Sequence, residues 1–333
     1  MSFPSRLLAG KSLKPIGLGC MSLSQAYYPL PSEAEGEKLL HRAIDIGYDH
    51  LDSARLYGLG HNEALLAKIL KTRRQEVFIT SKCGIEFDDG NRRIDCQPKT
   101  IRRAVEKSLL TMGTDSIDLY YLHRRDRNTP IEDSVGTLAR LIEEGKIGAI
   151  GLSEMSASTL RAAAKEHPIA AMQSEYSLWT RNPEIAVLET CKELGTAFVA
   201  FSPVARGALA GGVSSPANLD GKDLRSKHPR FNSDNWGKNM TLISQFDAIA
   251  QRENISPAQL SLCWVLAQGD HVHAIPGTAS IPHLEENFAA LDISVDQAAF
   301  DEISALINQS TINGHRYPDA MRKAIDTEEF ESA

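Results

Sequence analysis

The chain has 333 residues and a net charge of −7, so it has room for one α/β barrel or two smaller domains and no global positive field to recruit nucleic acid or acidic lipid. No apolar run approaches the ~18 residues of a membrane span, and "MSFPSRLLAGKSL" is too polar for a secretion signal. Cys20, Cys83, Cys96, Cys191 and Cys263 are scattered without a CxxC pair, which reads as reduced thiols of a cytoplasmic protein and not as a disulfide framework or zinc cluster.

In chain order, one pattern repeats: a short β-branched run, then a longer stretch with helical spacing. Strands are expected at 16–19, 50–52, 77–81, 118–123, 149–153, 170–173, 197–202 and 272–276. Most are apolar throughout, as parallel strands covered on both faces are. Helical stretches fall between them. The one at 32–47 opens with a Ser32/Glu35 capping-box pattern and ends at Gly47. Others are expected at 62–74, at 97–113 (Pro98 near the start, Gly113 past the end) and at 131–146. Later helices are expected near 156–166, 183–194, 240–253, 257–268 and 282–290.

Eight strands alternating with helices predict a (β/α)8 barrel in a single domain, 1–333. A doubly wound open sheet is the weaker alternative, because "GLGCMS" lacks the G-x-G-x-x-G spacing of such folds. The irregular stretch 203–239 is expected to be a long loop covering a ligand, and the tail 311–333 to lie over or beside the barrel mouth. The basic runs Lys71 to Arg74 and Arg124-Arg125 are expected on solvated surfaces.

In a barrel the C-terminal strand ends converge on one mouth. Here they carry Asp52, Lys82, His123, Ser153 and Gln173, with Tyr57 in the loop after the second strand. Asp, Tyr, Lys and His together support proton donation by tyrosine. A lysine about 4 Å from a phenolate is worth roughly 4 kcal/mol at an effective dielectric near 20, which bounds the phenol's downward shift at about three pH units. The aspartate would hold the lysine, and the histidine would donate to a substrate oxygen or relay a proton. None of these groups carries hydride, so a cofactor is required.

The segments "LDSARLYGLGHNE", "ITSKCG", "DLYYLHRRD", "IEDSVGTLARLIEEGKIGAIGLSE", "QSEYSLWTR", "FSPVARGALAGG" and "IPGTASIPHLEEN" resemble the aldo-keto reductases in order and spacing. The resemblance implies an NADPH-dependent carbonyl reductase with Tyr57 as general acid and Asp52, Lys82 and His123 completing a tetrad. It further implies that Ser153 and Gln173 hold the nicotinamide carboxamide and that Phe201 stacks on its ring. Gly19 and Met21 would approach the cofactor, and Ser202, Pro203, Val204, Gly207 and Leu209 would begin the loop over the pyrophosphate. Gly277, Thr278, Ser280, Glu286 and Asn287 would cradle the adenosine end. Relatives often carry Lys or Arg where this chain has Ala279 and Ser280, so NADPH is the expected cofactor with NADH use open. Tyr27, Tyr28 and Trp179, with Met21, Tyr57 and Trp236, are expected to form an aromatic pocket for a small carbonyl substrate.

Three other readings compete. A regulatory subunit on the same barrel would bind cofactor with little turnover. A metal-dependent hydrolase is prompted by His271-Val272-His273, but that pair opens the last strand, and no metal site is expected. A retaining glycosidase needs paired carboxylates, and Asp52 has only Glu154 as a weak companion.

Overall fold

Eight short parallel strands carry few residues that reach water, so each is held by hydrogen bonds on both edges and by apolar contacts on both faces. They are β1 (Leu18–Gly19), β2 (His50–Asp52), β3 (Phe78–Cys83), β4 (Leu119–Leu122), β5 (Ile150–Ser153), β6 (Ala171–Glu175), β7 (Ala197–Phe201) and β8 (Val272–Ile275). In this computed structural model, which describes residues 3–88 and 91–330, they form one sheet in the order β8-β7-β6-β5-β4-β3-β2-β1. The edges then meet. Ala274 N–H donates to the Pro15 carbonyl (2.8 Å), Gly17 N–H to Ala274 (2.9 Å) and Gly19 N–H to Pro276 (3.1 Å), closing the barrel. The expected first strand at 16–19 is therefore mostly a bridging segment: only Leu18 and Gly19 are regular strand, and Ile16 pairs with Ala274 as an isolated bridge.

Helices α1 (Glu33–Asp45), α2 (His61–Arg73), α3 (Pro98–Met112), α4 (Ile131–Glu143), α5 (Ala157–Glu166) and α6 (Val187–Leu194) each follow a strand. Beyond them come α7 (Ser233–Arg252), α8 (Pro257–Leu266), α9 (Ile281–Ala289) and α10 (Gln297–Leu306). The caps act as the sequence implies. Ser32 Oγ accepts from Glu35 N–H while Glu35 accepts from Ser32 N–H (2.8 Å), and Gly113 ends α3 in the left-handed region at φ 63°. Buried Leu40, Ile69, Val105, Leu138 and Leu160 pack the helices against the outside of the sheet.

Two hairpins escape the strand pattern because each is only a few residues long. Arg6–Leu8 pairs with Lys11–Leu13 across a turn at Ala9 (φ 50°) and Gly10 (φ 76°). Its Leu8 and Leu13 join Phe78, Leu119, Tyr121 and Val199 inside the barrel. Ile85–Asp88 pairs with Asn91–Ile94 just after β3 and rises beside the mouth. The expected loop 203–239 is shorter than its composition implies. It folds into 3-10 turns, and α7 begins at Ser233, where the Asn232 side chain accepts from Asn235 N–H (2.9 Å). Polar residues and Gly237 hide this first part of α7 from an apolar-periodicity reading.

Candidate active site

A cavity of about 600 Å³ opens at the C-terminal ends of the strands, and nearly every strand end or following loop contributes to its wall. At its floor, Asp52 closes β2 and is buried. One of its oxygens accepts from Thr80 Oγ1 (2.7 Å) and Gln173 Nε2 (2.8 Å), and the other receives the Lys82 ammonium in a buried ion pair. Lys82 has no solvent exposure; its Nζ also donates to the Ser53 carbonyl (2.8 Å) and lies 3.5 Å from Tyr57 Oη. Burial opposes the ammonium, but Asp52 and Tyr57 outweigh it, and the lysine pKa is raised. Lys82 therefore supports the cavity from below without lining it.

Tyr57 is carried by a tight turn in which Gly58 (φ 57°), Leu59 (φ 55°) and Gly60 (φ 103°) all adopt positive φ. A Cβ on Gly60 would lie 2.4 Å from the Arg55 guanidinium, which donates to buried Glu63 (2.7 Å). The turn swings the ring edge-on to His123, with centroids 6.0 Å apart. Burial raises the phenol pKa and exceeds the opposing pull of Lys82, so the net shift is upward where the sequence alone implied a downward one. The reason is desolvation, which strand-end spacing does not reveal. His123 moves the other way: burial, then Arg124, Lys82 and Arg92, hold its pKa well below the usual range, and the ring is neutral.

Asp52, Tyr57 and His123 share the cavity wall with Ser153, Gln173, Phe201, Gly19 and Met21. Tyr27 and Tyr28 line it from the loop after β1. Gly19 and Gly277 face each other across the barrel seam. A Cβ on Gly19 would sit 2.7 Å from the Ile275 carbonyl, and one on Gly277 would sit 2.9 Å from the Gly19 carbonyl. After β7, Ser202, Pro203, Val204 and Gly207 also reach the cavity, in a loop where Ser202 (φ 51°), Ala205 (φ 52°) and Arg206 (φ 58°) hold strained backbone. From the β8 side come Thr278, Ala279, Glu286 and Asn287.

Four expectations need correction. Leu209 is fully buried beneath the loop, with its carbonyl accepting from Ser261 (3.3 Å), and does not reach the cavity. Ser280 instead caps α9 through His283 N–H (3.5 Å). Trp179 is turned away by a tight Ser177–Thr180 bridge and packs against Phe231 (5.7 Å) and Trp236 (6.4 Å), an aromatic cluster under the start of α7 that takes Trp236 with it. Arg124 is not on a solvated surface: it is 8% exposed, lines the cavity, and donates to its neighbour's carbonyl at His123 (2.6 Å) and weakly to Ser153 Oγ (3.4 Å).

Several lining residues were invisible to strand-end reasoning. Phe87 and Arg92 come from the hairpin after β3, Arg206 and Arg225 from the loop after β7, and Tyr317 and Met321 from the tail. Arg225 pairs with Asp223 (2.8 Å) and lies over the Tyr27 ring (5.1 Å). Arg206 pairs with buried Glu175 (2.9 Å), and Arg316 bridges Glu154 (2.9 Å) and Glu175 (3.6 Å), tying the tail to the ends of β5 and β6. The sequence signalled the 203–239 loop and the tail as segments near the mouth without saying which of their residues enter it, and it gave no sign of the hairpin.

A closed parallel barrel whose mouth gathers Asp, Tyr, Lys and His around an apolar-walled cavity defines the class. The model of the Aldo/keto reductase family matches residues 15–308. An aldo-keto reductase of Schizosaccharomyces pombe, yakc [NADP(+)], is 41% identical over 96% of this chain and 95% of its own length. A probable aldo-keto reductase 1 of Glycine max is 38% identical over 92% of this chain and 89% of its own. The glycerol dehydrogenase AKR11B4 of Gluconobacter oxydans superposes with a TM-score of 0.84 over 100% of this chain and 99% of that one; at 24% identity that likeness speaks for the fold. This chain belongs to the aldo/keto reductase family.

Proposed function

We propose that this protein reduces aldehyde or ketone carbonyls to alcohols with NADPH, Tyr57 acting as the proton donor. The observation that carries this reading is the buried chain Asp52–Lys82–Tyr57 ending at the cavity, with Lys82 Nζ 3.5 Å from Tyr57 Oη. When bound, the cofactor supplies hydride to the carbonyl carbon.

The residues do the rest. Tyr57, a phenol whose pKa burial raises further above its ordinary value near 10, is protonated at neutral pH, so its hydroxyl is a donor before the reaction. As negative charge develops on the substrate oxygen, Tyr57 gives up its proton and becomes a phenolate. Lys82 then holds that charge with roughly 5 kcal/mol at an effective dielectric near 20. Asp52, anchored by Thr80 and Gln173, keeps the ammonium aimed. Neutral His123 can donate to the same oxygen without adding a charge that would repel Lys82.

The wall suits a dinucleotide. Gln173 spends its amide N–H on Asp52, leaving its carbonyl to accept from a carboxamide beside Ser153 and Phe201. The positive-φ 202–207 backbone reaches the cavity where a diphosphate would lie, while Gly19 and Gly277, each without a Cβ, let the two sides of the seam beside it come together. Beside the adenosine end, Ala279 is uncharged and Ser280 is committed to its cap, so we assign NADPH with a modest margin over NADH.

The test is fluorescence titration with NADPH and NADH, followed by an aromatic aldehyde, in wild type and Tyr57→Phe. Loss of cofactor oxidation by ~10²–10⁴-fold in Tyr57→Phe, with cofactor binding retained, is the expected result. Retained oxidation would remove the proton-donor role, and binding of neither cofactor would remove the reductase reading.

A further inference from the structure

The cavity carries four arginines and two carboxylates, and the pairing among them is uneven. Asp52 is matched by Lys82, Arg206 by Glu175 and Arg225 by Asp223. Glu286 sits with Thr278 and Asn287 on the β8 side. Arg92 and Arg124 have no acidic partner among the described residues, yet both line the cavity. Arg124 is nearly buried and satisfied only by a carbonyl and a long contact to Ser153, and Arg92 stands at the rim on its hairpin. Burial and then Arg124 lower the Arg92 pKa, and both guanidinium groups push that of His123 down.

Topology separates this pair from the dinucleotide side. Arg92 follows β3 and Arg124 follows β4, while the strained loop follows β7 and the 277–287 segment follows β8. In a closed eight-strand barrel, β3 and β4 lie across the axis from β7 and β8. Two guanidinium groups without an acidic partner among the described residues therefore line the same cavity as Tyr57 and His123, on the side left to the substrate. A guanidinium without a counter-charge is costly to desolvate, and a planar anion meeting both would relieve that for buried Arg124.

We propose that Arg92 and Arg124 form an anion subsite, and that the preferred substrate is a carbonyl compound carrying a carboxylate. This rests on the carbonyl-reduction reading for where the reacting oxygen lies. Phe87, on the same hairpin as Arg92, and Leu56, just before Tyr57, add apolar wall to the cavity, which suits a small aromatic spacer.

The experiment compares 3-carboxybenzaldehyde with its uncharged methyl ester, methyl 3-formylbenzoate, in wild type, Arg92→Gln and Arg92→Glu. Wild type is expected to favour the acid in kcat/KM by about tenfold or more; Arg92→Gln should cut that ratio by about tenfold and Arg92→Glu should reverse it. An acid no better than its ester, or a ratio indifferent to Arg92, overturns the proposal even if both are reduced. Should neither compound be reduced, the reductase reading is in trouble and the subsite is judged by calorimetry with isophthalate, with and without NADP+. Binding weakened about fivefold or more by Arg92→Gln sustains it; no binding, or binding that ignores the substitution, overturns it.

Discussion

Lys82 shows how far one side chain is committed here. Its ammonium touches Asp52, the Ser53 carbonyl and Tyr57, and the side chain has no solvent exposure. Removing it leaves the Asp52 carboxylate buried without its cation, a loss of about 3–5 kcal/mol. Lys82→Met should therefore lower the urea midpoint as well as abolish turnover, whereas Tyr57→Phe should leave the midpoint nearly unchanged. A Lys82→Met protein as stable as wild type would mean the pair contributes nothing net. The strand-end positions of Asp52, Lys82 and His123 were legible because a short buried strand leaves its terminal polar residue few places to go. The direction of the Tyr57 shift was not, because burial is a property of everything packed around the ring.

At the scale of elements, the turn 57–60 and the tail hold the site from opposite sides. Gly60 sits at φ 103° with the Arg55 guanidinium where a side chain would go. Gly60→Ala should cost about 1–3 kcal/mol and displace Tyr57, so that kcat falls further than the melting temperature alone would explain. Normal kcat at reduced stability would separate the turn from the chemistry. The tail is held by Arg316, almost wholly buried between Glu154 and Glu175, and by Asp326 and Glu328, which accept from Ser156 N–H (3.2 Å) and Ala157 N–H (2.8 Å). Arg316→Met leaves buried Glu154 without its cation and Glu175 with Arg206 alone, and should make the segment after Asn313 the first site of limited proteolysis. A wild-type digestion pattern would show that the backbone contacts suffice. Neither device was readable in the sequence, since a Gly-Leu-Gly turn and a polar tail carrying Arg316 and Arg322 fit an ordinary surface equally well.

For the whole molecule, the buried histidines set the acid limit. Desolvation holds His50 and His228 down at about 4 and His273 at about 3, against an unfolded value near 6.5. Between those values the unfolded chain binds protons that the folded chain refuses, so stability rises with pH there and falls as acid is added. Each such histidine contributes a slope of up to about 1.4 kcal/mol per pH unit between roughly pH 6.5 and 4. Urea midpoints measured from pH 7.5 to 4.5 should hold steady at first and then fall steeply below about 6.5; a flat profile would mean these rings are hydrated in solution.

The sequence by itself determined the alternation of strands and helices, the helix caps, and four polar residues at or beyond consecutive strand ends, because all of these depend on neighbours within a few positions. It also carried enough ordered motifs to identify the family. Only the tertiary structure decided which residues wall the cavity: Arg92, Arg124, Arg206 and Tyr317 enter it from a hairpin, a strand end, a loop and the tail, while Trp179 and Leu209 turn away into apolar partners. Closing a barrel brings together residues that lie hundreds of positions apart, and it sets which charges remain unpaired at the mouth. No local pattern encodes that balance, since it is a sum over the whole fold.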